Sequence, residues 1–167
     1  MNLIKKMFTF TKLNVPFDKI DNRNILVVGA SSGIGLALAD LLKKNNSNVF
    51  VAARRGSLLE KKFIKKNVYQ IDVTNPDEIE YLFSDIERKK LYIDTVFWCP
   101  GIYTPMNFKD FNVEEANQIL NTNFSCVFKP FSLMIHYQID NKSHSAKKTI
   151  PCVCISSIAG YSGLPCA

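Results

Sequence analysis

Ile25-Leu26-Val27-Val28-Gly29-Ala30-Ser31-Ser32-Gly33-Ile34-Gly35 packs a strand, a turn and the start of a helix into one short run. Four β-favouring apolar residues end in a glycine, and two more glycines follow four and six residues later. Apolar residues at Ile34, Leu38, Leu41 and Leu42 then take up a helical period at once. Glycines stand where backbone must approach something closely. The first amides of a helix lack internal partners and the helix dipole favours an anion there, so the run predicts a pyrophosphate held by main-chain N–H groups between Ala30 and Ile34. The plainer alternative is a strand–helix turn whose glycines serve packing alone.

Outward from this run the pattern alternates strand and helix, which predicts a parallel sheet with helices on both faces. Strand two spans 48–53, followed by a short lysine-rich helix within 57–66, and strand three spans 68–72. Asn75, Pro76 and Glu78 form a helix start with capping-box spacing, and Ile79, Leu82, Phe83 and Ile86 supply its apolar stripe. Strand four is 94–98. Asn112 with Glu115 caps the next helix, whose apolar positions are Ala116, Ile119, Leu120 and Phe124, and Pro130 should kink or end it. Strand five is 150–155, behind a polar loop at 142–148. No internal repeat or linker interrupts the order.

At 167 residues, 47% hydrophobic and 22% charged, the chain has the make-up of one ordinary globular domain. The net charge of +6 comes largely from scattered lysine doublets such as Lys43-Lys44 and Lys65-Lys66. That pattern marks solvated faces and argues against a nucleic-acid surface, while the excess charge suits a phosphate-rich ligand. Five cysteines, Cys99, Cys126, Cys152, Cys154 and Cys166, lack zinc-ligand spacing. They read as reduced, buried thiols in a cytoplasmic protein with no metal site. No apolar run reaches membrane-spanning length. Residues 1–22 lack a secretory core and read as an N-terminal arm ahead of a domain at 23–167.

Taken together these features resemble the short-chain dehydrogenase/reductase superfamily from Asn24 to the end. Gly29, Gly33 and Gly35 match its GxxxGxG turn, here GASSGIG. Asp72-Val73 matches the pair that holds the adenine ring, Asn123 in LNTNFSC the active-site asparagine, and Ser157 in ISSIAG the catalytic serine. The resemblance implies a Rossmann-type doubly wound sheet, cut short after the fifth strand. It implies cofactor contacts from Gly29, Ser31, Ser32, Gly33, Ile34, Gly35, Asp72, Val73 and Gly101, and a small alcohol or carbonyl substrate. Ser157 would orient the substrate carbonyl and Asn123 would hold a water in a proton relay. A full-length relative would be a homo-oligomer; for this chain that state is doubtful.

Strand two bears on the choice of cofactor. NAD-preferring enzymes of this kind carry an acid at its end to bond the ribose 2′-OH. Here that position is Ala53, followed by Arg54-Arg55. A guanidinium forms charge-assisted bonds to a 2′-phosphate that a carboxylate would repel. The reading is therefore NADP rather than NAD, with Arg54 as main contact. Two departures from the family stand out. Trp98-Cys99-Pro100-Gly101 replaces its NNAG, so Cys99 takes the place of an asparagine that ties this strand to its neighbour. The YxxxK pair that supplies the family's proton donor is absent: no tyrosine here is followed four residues later by lysine, and Tyr161 sits in a Gly/Pro-rich loop. The expectation is a truncated reductase, inactive alone, or alternatively a non-catalytic NADP(H)-binding module.

Overall fold

A computed structural model describes residues 21–105, 109, 111–140 and 150–157. Residues 1–20 of the N-terminal arm, the whole 142–148 loop, Tyr161 and Cys166 lie outside them. Five strands, β1 (Asn24–Val28), β2 (Asn48–Ala53), β3 (Val68–Gln70), β4 (Thr95–Trp98) and β5 (Cys152–Cys154), form one parallel sheet in the order β3-β2-β1-β4-β5. The helices are α1 (Gly33–Lys44), α2 (Gly56–Glu60), α3 (Pro76–Arg88), α4 (Val113–Asn123) and α5 (Phe128–Asp140). The chain is thus a Rossmann-type α/β fold.

Both faces of the sheet are covered, and strand alternation sorts the core accordingly. Leu26, Val28, Phe50, Ala52 and Trp98 pack with Ile79, Leu82, Phe83 and Ile86 of α3 and Met134 of α5. Their neighbours Ile25, Val27, Val49, Val51 and Ala53 point the other way, onto Ala39 and Leu42 of α1 and Leu59 of α2. β1 pairs with β2 on one side and β4 on the other, so the strand order reverses there and a crevice opens at the carboxyl ends.

Several local readings change. The buried face of α1 is Gly35, Ala39 and Leu42, while Ile34 and Leu41 are exposed. Small residues face the sheet because Gly35 packs against the Gly29 carbonyl, which rotates Ile34 outward. In α3 the Asn75 side chain accepts from Asp77 N–H as a cap should. Glu78, however, accepts from the Asn75 amide side chain and from Asp72 N–H, rather than closing a capping box on the Asn75 backbone. The lysine-rich segment forms only the short α2 and a 3-10 turn at Lys65–Asn67.

The expected single helix after Asn112 is two. α4 is capped by Asn112, whose side chain accepts from Glu115 N–H, and ends at Asn123; a 3-10 turn at Ser125–Val127 leads into α5. Pro130 lies in the first turn of α5, where its missing N–H costs nothing, so the break falls before it. Leu120 and Phe124, expected to be buried, are 53% and 59% exposed. Phe124 stacks edge-on with Phe128 at 5.2 Å between ring centres. Among the described residues β5 pairs only with β4 and forms a sheet edge, with Val153, Cys154 and Ile155 exposed.

Buried Asp85 on α3 accepts from Tyr69 Oη at 3.1 Å, pairs with Lys89 Nζ at 2.5 Å and bonds Arg88. Burial alone would raise its pKa, but the bonds from Lys89, Arg88 and Tyr69 outweigh it and hold it below 3.8. The same contact with Asp85 raises Lys89 above 10.5, and burial raises Tyr69 above 10.0. A lowered carboxylate gives stability present above its unfolded pKa and lost as pH falls through the folded one; the raised lysine and tyrosine give stability lost on the alkaline side. Asp85→Ala leaves the Tyr69 hydroxyl short of a buried partner and should cost about 2 kcal/mol at neutral pH. The difference from the parent should shrink below about pH 4, as followed by urea unfolding across pH.

Candidate functional site

The crevice holds a cleft of about 570 Å³, within the usual range for small-ligand sites. Gly29, Ser31, Ser32, Gly33, Ile34 and Gly35 form its floor. Ala53, Arg54 and Arg55 come from the end of β2, Ile71 and Val73 from beyond β3, and Cys99, Pro100 and Gly101 from beyond β4.

The turn is built by close backbone contacts. Gly29 has φ +81°, and a Cβ there would sit 2.7 Å from Pro100 N; a Cβ on Gly35 would overlap Gly29 O. Both glycines are therefore required by packing within the protein, as the plainer reading allowed. Gly33 is different. It has φ +56° and nothing within 4 Å of a Cβ, so its backbone lies open to the cleft. Its left-handed φ, not a close neighbour, is what calls for glycine here.

The amides divide in the same way. Gly29 and Ala30 N–H both donate to Ala52 O, so Ala30 is already engaged and drops out of the expected cradle. The first bond of α1 is Leu36 N–H to Ser32 O, which leaves Gly33, Ile34 and Gly35 without intrahelical acceptors. Ser32 occupies the N-cap position yet makes no capping bond. Its Oγ accepts instead from Arg55 Nη2 at 2.8 Å, while Ser31 Oγ accepts from Arg55 Nε and Nη2 at 3.3 and 3.1 Å. Open amides, a helix dipole and two arginines make an anion site. The residues present thus fit a dinucleotide with its diphosphate over the turn.

Arg54 is 58% exposed and lies 4.0 Å from the Asp72 carboxylate. Asp72 also accepts from Thr74 N–H and Oγ1, which fixes the corner after β3 and presents Val73 to the cleft. Cys99, where an asparagine would tie strands together, is held by its backbone: Cys99 N–H donates to Val28 O at 3.0 Å. Burial, with a smaller push from Cys154, raises its thiol to about 11, and burial raises Cys152 to about 12. Both are neutral thiols at physiological pH and poor nucleophiles. Cys99, Cys126, Cys152 and Cys154 are free; only Cys126 is buried, whereas Cys154 is exposed because it lies on the sheet edge. Among the described residues no group of three His, Cys, Asp or Glu side chains could hold a metal. No described helix is long and apolar enough to cross a membrane.

Asn123 and Ser157 do not line the cleft; the nearby Thr122 and Ile155 do. At the end of α4 the Asn123 amide bonds Ile102 twice: Nδ2 donates to Ile102 O and Oδ1 accepts from Ile102 N–H, both at 2.8 Å, and the exposed side chain keeps a second N–H and a second lone pair. This side chain pins the loop after β4, next to Gly101. Ser157 follows β5 and is exposed. Arg55 is a cleft residue that sequence reasoning did not select as a contact; it follows β2, and Ser31 and Ser32 follow the neighbouring strand β1.

The short chain dehydrogenase family model matches residues 23–167. An uncharacterized oxidoreductase of Schizosaccharomyces pombe is 28% identical over 142 residues, covering 85% of this chain and 47% of its own. The 5-keto-D-gluconate 5-reductase of Escherichia coli is 26% identical over 128 residues, covering 72% and 50%. The crystal structure of a short chain dehydrogenase from Leptospira borgpetersenii with bound NAD+ superposes with TM-score 0.79 at 22% identity, over 92% of this chain and 58% of that one. An actinorhodin polyketide ketoreductase with NADPH gives 0.73 at 25% identity, over 87% and 57%. The chain spans 47% to 60% of the length of the first curated relatives it matches. With the glycine turn, sheet order and cleft in the places this match requires, the chain belongs to the short-chain dehydrogenase family.

Proposed function

We propose that the chain is the nucleotide-binding part of an NADP(H)-dependent oxidoreductase acting on an alcohol/carbonyl pair. The observation that carries the reading is the pair Arg54 and Arg55 beside the open amides of Gly33, Ile34 and Gly35, with Ala53 where an acid would favour NAD. When bound, the nicotinamide supplies hydride chemistry. The chain's own residues hold the diphosphate at the α1 start and draw the 2′-phosphate to Arg54. Asn123 sets the loop carrying Gly101, and Ser157 donates a hydrogen bond to the substrate oxygen. Free cysteines suit a reducing setting such as the cytoplasm.

No tyrosine–lysine pair at YxxxK spacing is present in these residues. A positioned general acid is worth about 10²–10⁴-fold, so the 167-residue chain should bind nucleotide while turning over carbonyl substrates very slowly. The alternative reading is a module that binds NADP(H) without catalysis; saturable binding with no turnover at all would select it. Isothermal titration of the folded chain tests the shared claim. Heat with NADPH and a weaker isotherm with NADH supports it, and silence with both overturns it.

A further inference from the structure

We infer that the corner of the fold where three lysine doublets gather beside exposed Leu58 and Ile64 is a docking surface for an anionic lipid bilayer. This goes beyond the nucleotide reading and does not depend on it.

Lys43-Lys44, Lys61-Lys62 and Lys65-Lys66 are spread along the chain, which alone marks solvated faces. The fold brings them together. α1 runs back along the sheet, so Lys43 and Lys44 at its end lie near the start of β2, and Lys65 and Lys66 lie in the turn that opens β3. β2 and β3 are parallel neighbours, which puts both doublets at the amino ends of the strands, away from the cleft at the carboxyl ends. Asn67 ties these two starts together, donating from Nδ2 to Asn48 Oδ1 at 3.0 Å and to Val49 O at 3.2 Å. The third doublet is joined to α1: Lys43 Nζ donates to Lys62 O at 2.5 Å and stands 5.5 Å from the centre of the buried Phe63 ring.

Little opposes this charge. Between residues 40 and 66 the only acids are Asp40 and Glu60, which pair with Lys62 and Lys65 at 3.1 and 3.8 Å, both pairs partly in water. Lys44, Lys61 and Lys66 are exposed and pair with no acid among the described residues. Leu58 and Ile64 of the same segment are also exposed, Ile64 to 62%, while their neighbours Leu59 and Phe63 fill the core. Lysines with apolar side chains between them fit acidic headgroups over acyl chains, and clusters of about four to eight basic residues bind such surfaces. The long lysine stem lies along apolar surface while its ammonium reaches a headgroup. A nucleic-acid surface would call for arginines and exposed aromatic rings. Arg54 and Arg55 line the cleft instead, and Phe63 is buried. The chain ahead of β1 joins at the same end, where Asn22 N–H donates to Asn46 O at 3.1 Å. Its sequence has Lys5, Lys6 and Lys12 and no acid before Asp18, so it offers the lysines no counter-charge.

Co-sedimentation of the 167-residue chain with vesicles of phosphatidylcholine, alone or mixed with phosphatidylserine, tests this. The chain should bind the mixed vesicles, leave the phosphatidylcholine ones, and come off as salt is raised, since exposed charges are screened. Lys44→Gln/Lys61→Gln/Lys65→Gln/Lys66→Gln should weaken binding about 10²-fold, each basic residue near an anionic surface counting for roughly fivefold. Leu58→Gln/Ile64→Gln should weaken it about 5- to 10-fold and leave the salt dependence in place. Circular dichroism of each variant reports that it remains folded. No binding to the mixed vesicles at low salt, or equal binding to both kinds, would overturn the inference. So would a lysine variant that binds like the parent, which would place the contact elsewhere on the chain, or an apolar variant that does. Tighter binding to a single-stranded RNA oligonucleotide than to the mixed vesicles would make this a nucleic-acid surface and overturn it as well.

Discussion

Gly29→Ala will lower the unfolding free energy by about 3 kcal/mol or more, combining a left-handed backbone penalty with overpacking. The new Cβ would lie 2.7 Å from Pro100 N and 2.8 Å from Cys99 C, at φ +81°. Both neighbours are backbone, so no side-chain rotation relieves the contact. The strain falls where β1 hands over to the turn and β4 to its loop, and the two ends are tied by Cys99 N–H to Val28 O. For a domain of ordinary marginal stability such a loss is a large fraction of the total. Urea unfolding followed by circular dichroism will show it as a fall in midpoint. Gly33→Ala offers the contrast: its Cβ meets nothing within 4 Å, so the cost to stability is the φ +56° strain alone. An unchanged midpoint for Gly29→Ala would mean that the turn is looser than described.

Replacing both arginines, Arg54→Ala/Arg55→Ala, will cost NADPH about 10²–10³-fold in affinity while leaving NADH within about threefold. Hydrogen bonds to charged groups are worth more than neutral ones, but both guanidiniums are partly solvated, so the low end of their range applies. The parent should prefer NADPH, and the double variant should not. Raising salt should erode the preference of the parent, since exposed charge contacts are screened. A double variant that still prefers NADPH would move the 2′-phosphate away from the β2 end.

Much of this was legible in the sequence because it rests on local signals. GASSGIG at 29–35 fixes a strand, a turn and a helix together, and the apolar stripe at Ile79, Leu82, Phe83 and Ile86 has all four residues buried. Periodicity failed where contact with the rest of the fold sets the rotation of a helix. Ile34 scores as a core position, yet Gly35 must face the sheet, so Ile34 does not. Leu120 and Phe124 fit a helical stripe, but Leu120 is exposed within α4, and Phe124, the C-cap of that helix, meets the exposed Phe128 instead. The site shows the same limit. That arginines follow β2 is plain from the chain, but which one reaches the turn depends on the β2–β1 register, Val28 opposite Ala52. Likewise Asn123 can be picked out by its motif, while its two hydrogen bonds with Ile102 are a product of where α4 meets the loop after β4.

The central claim is that the unpaired amides at the start of α1 hold the diphosphate of NADP(H). Amide-resolved NMR of the ¹⁵N-labelled chain during an NADPH titration tests it most directly. The account predicts saturable shifts at Gly33, Ile34 and Gly35 and at the Arg54 and Arg55 side chains, with the amide of Ala30, bonded to Ala52, moving least within the turn. A folded chain whose Gly33, Ile34 and Gly35 resonances stay still at saturating NADPH would contradict it.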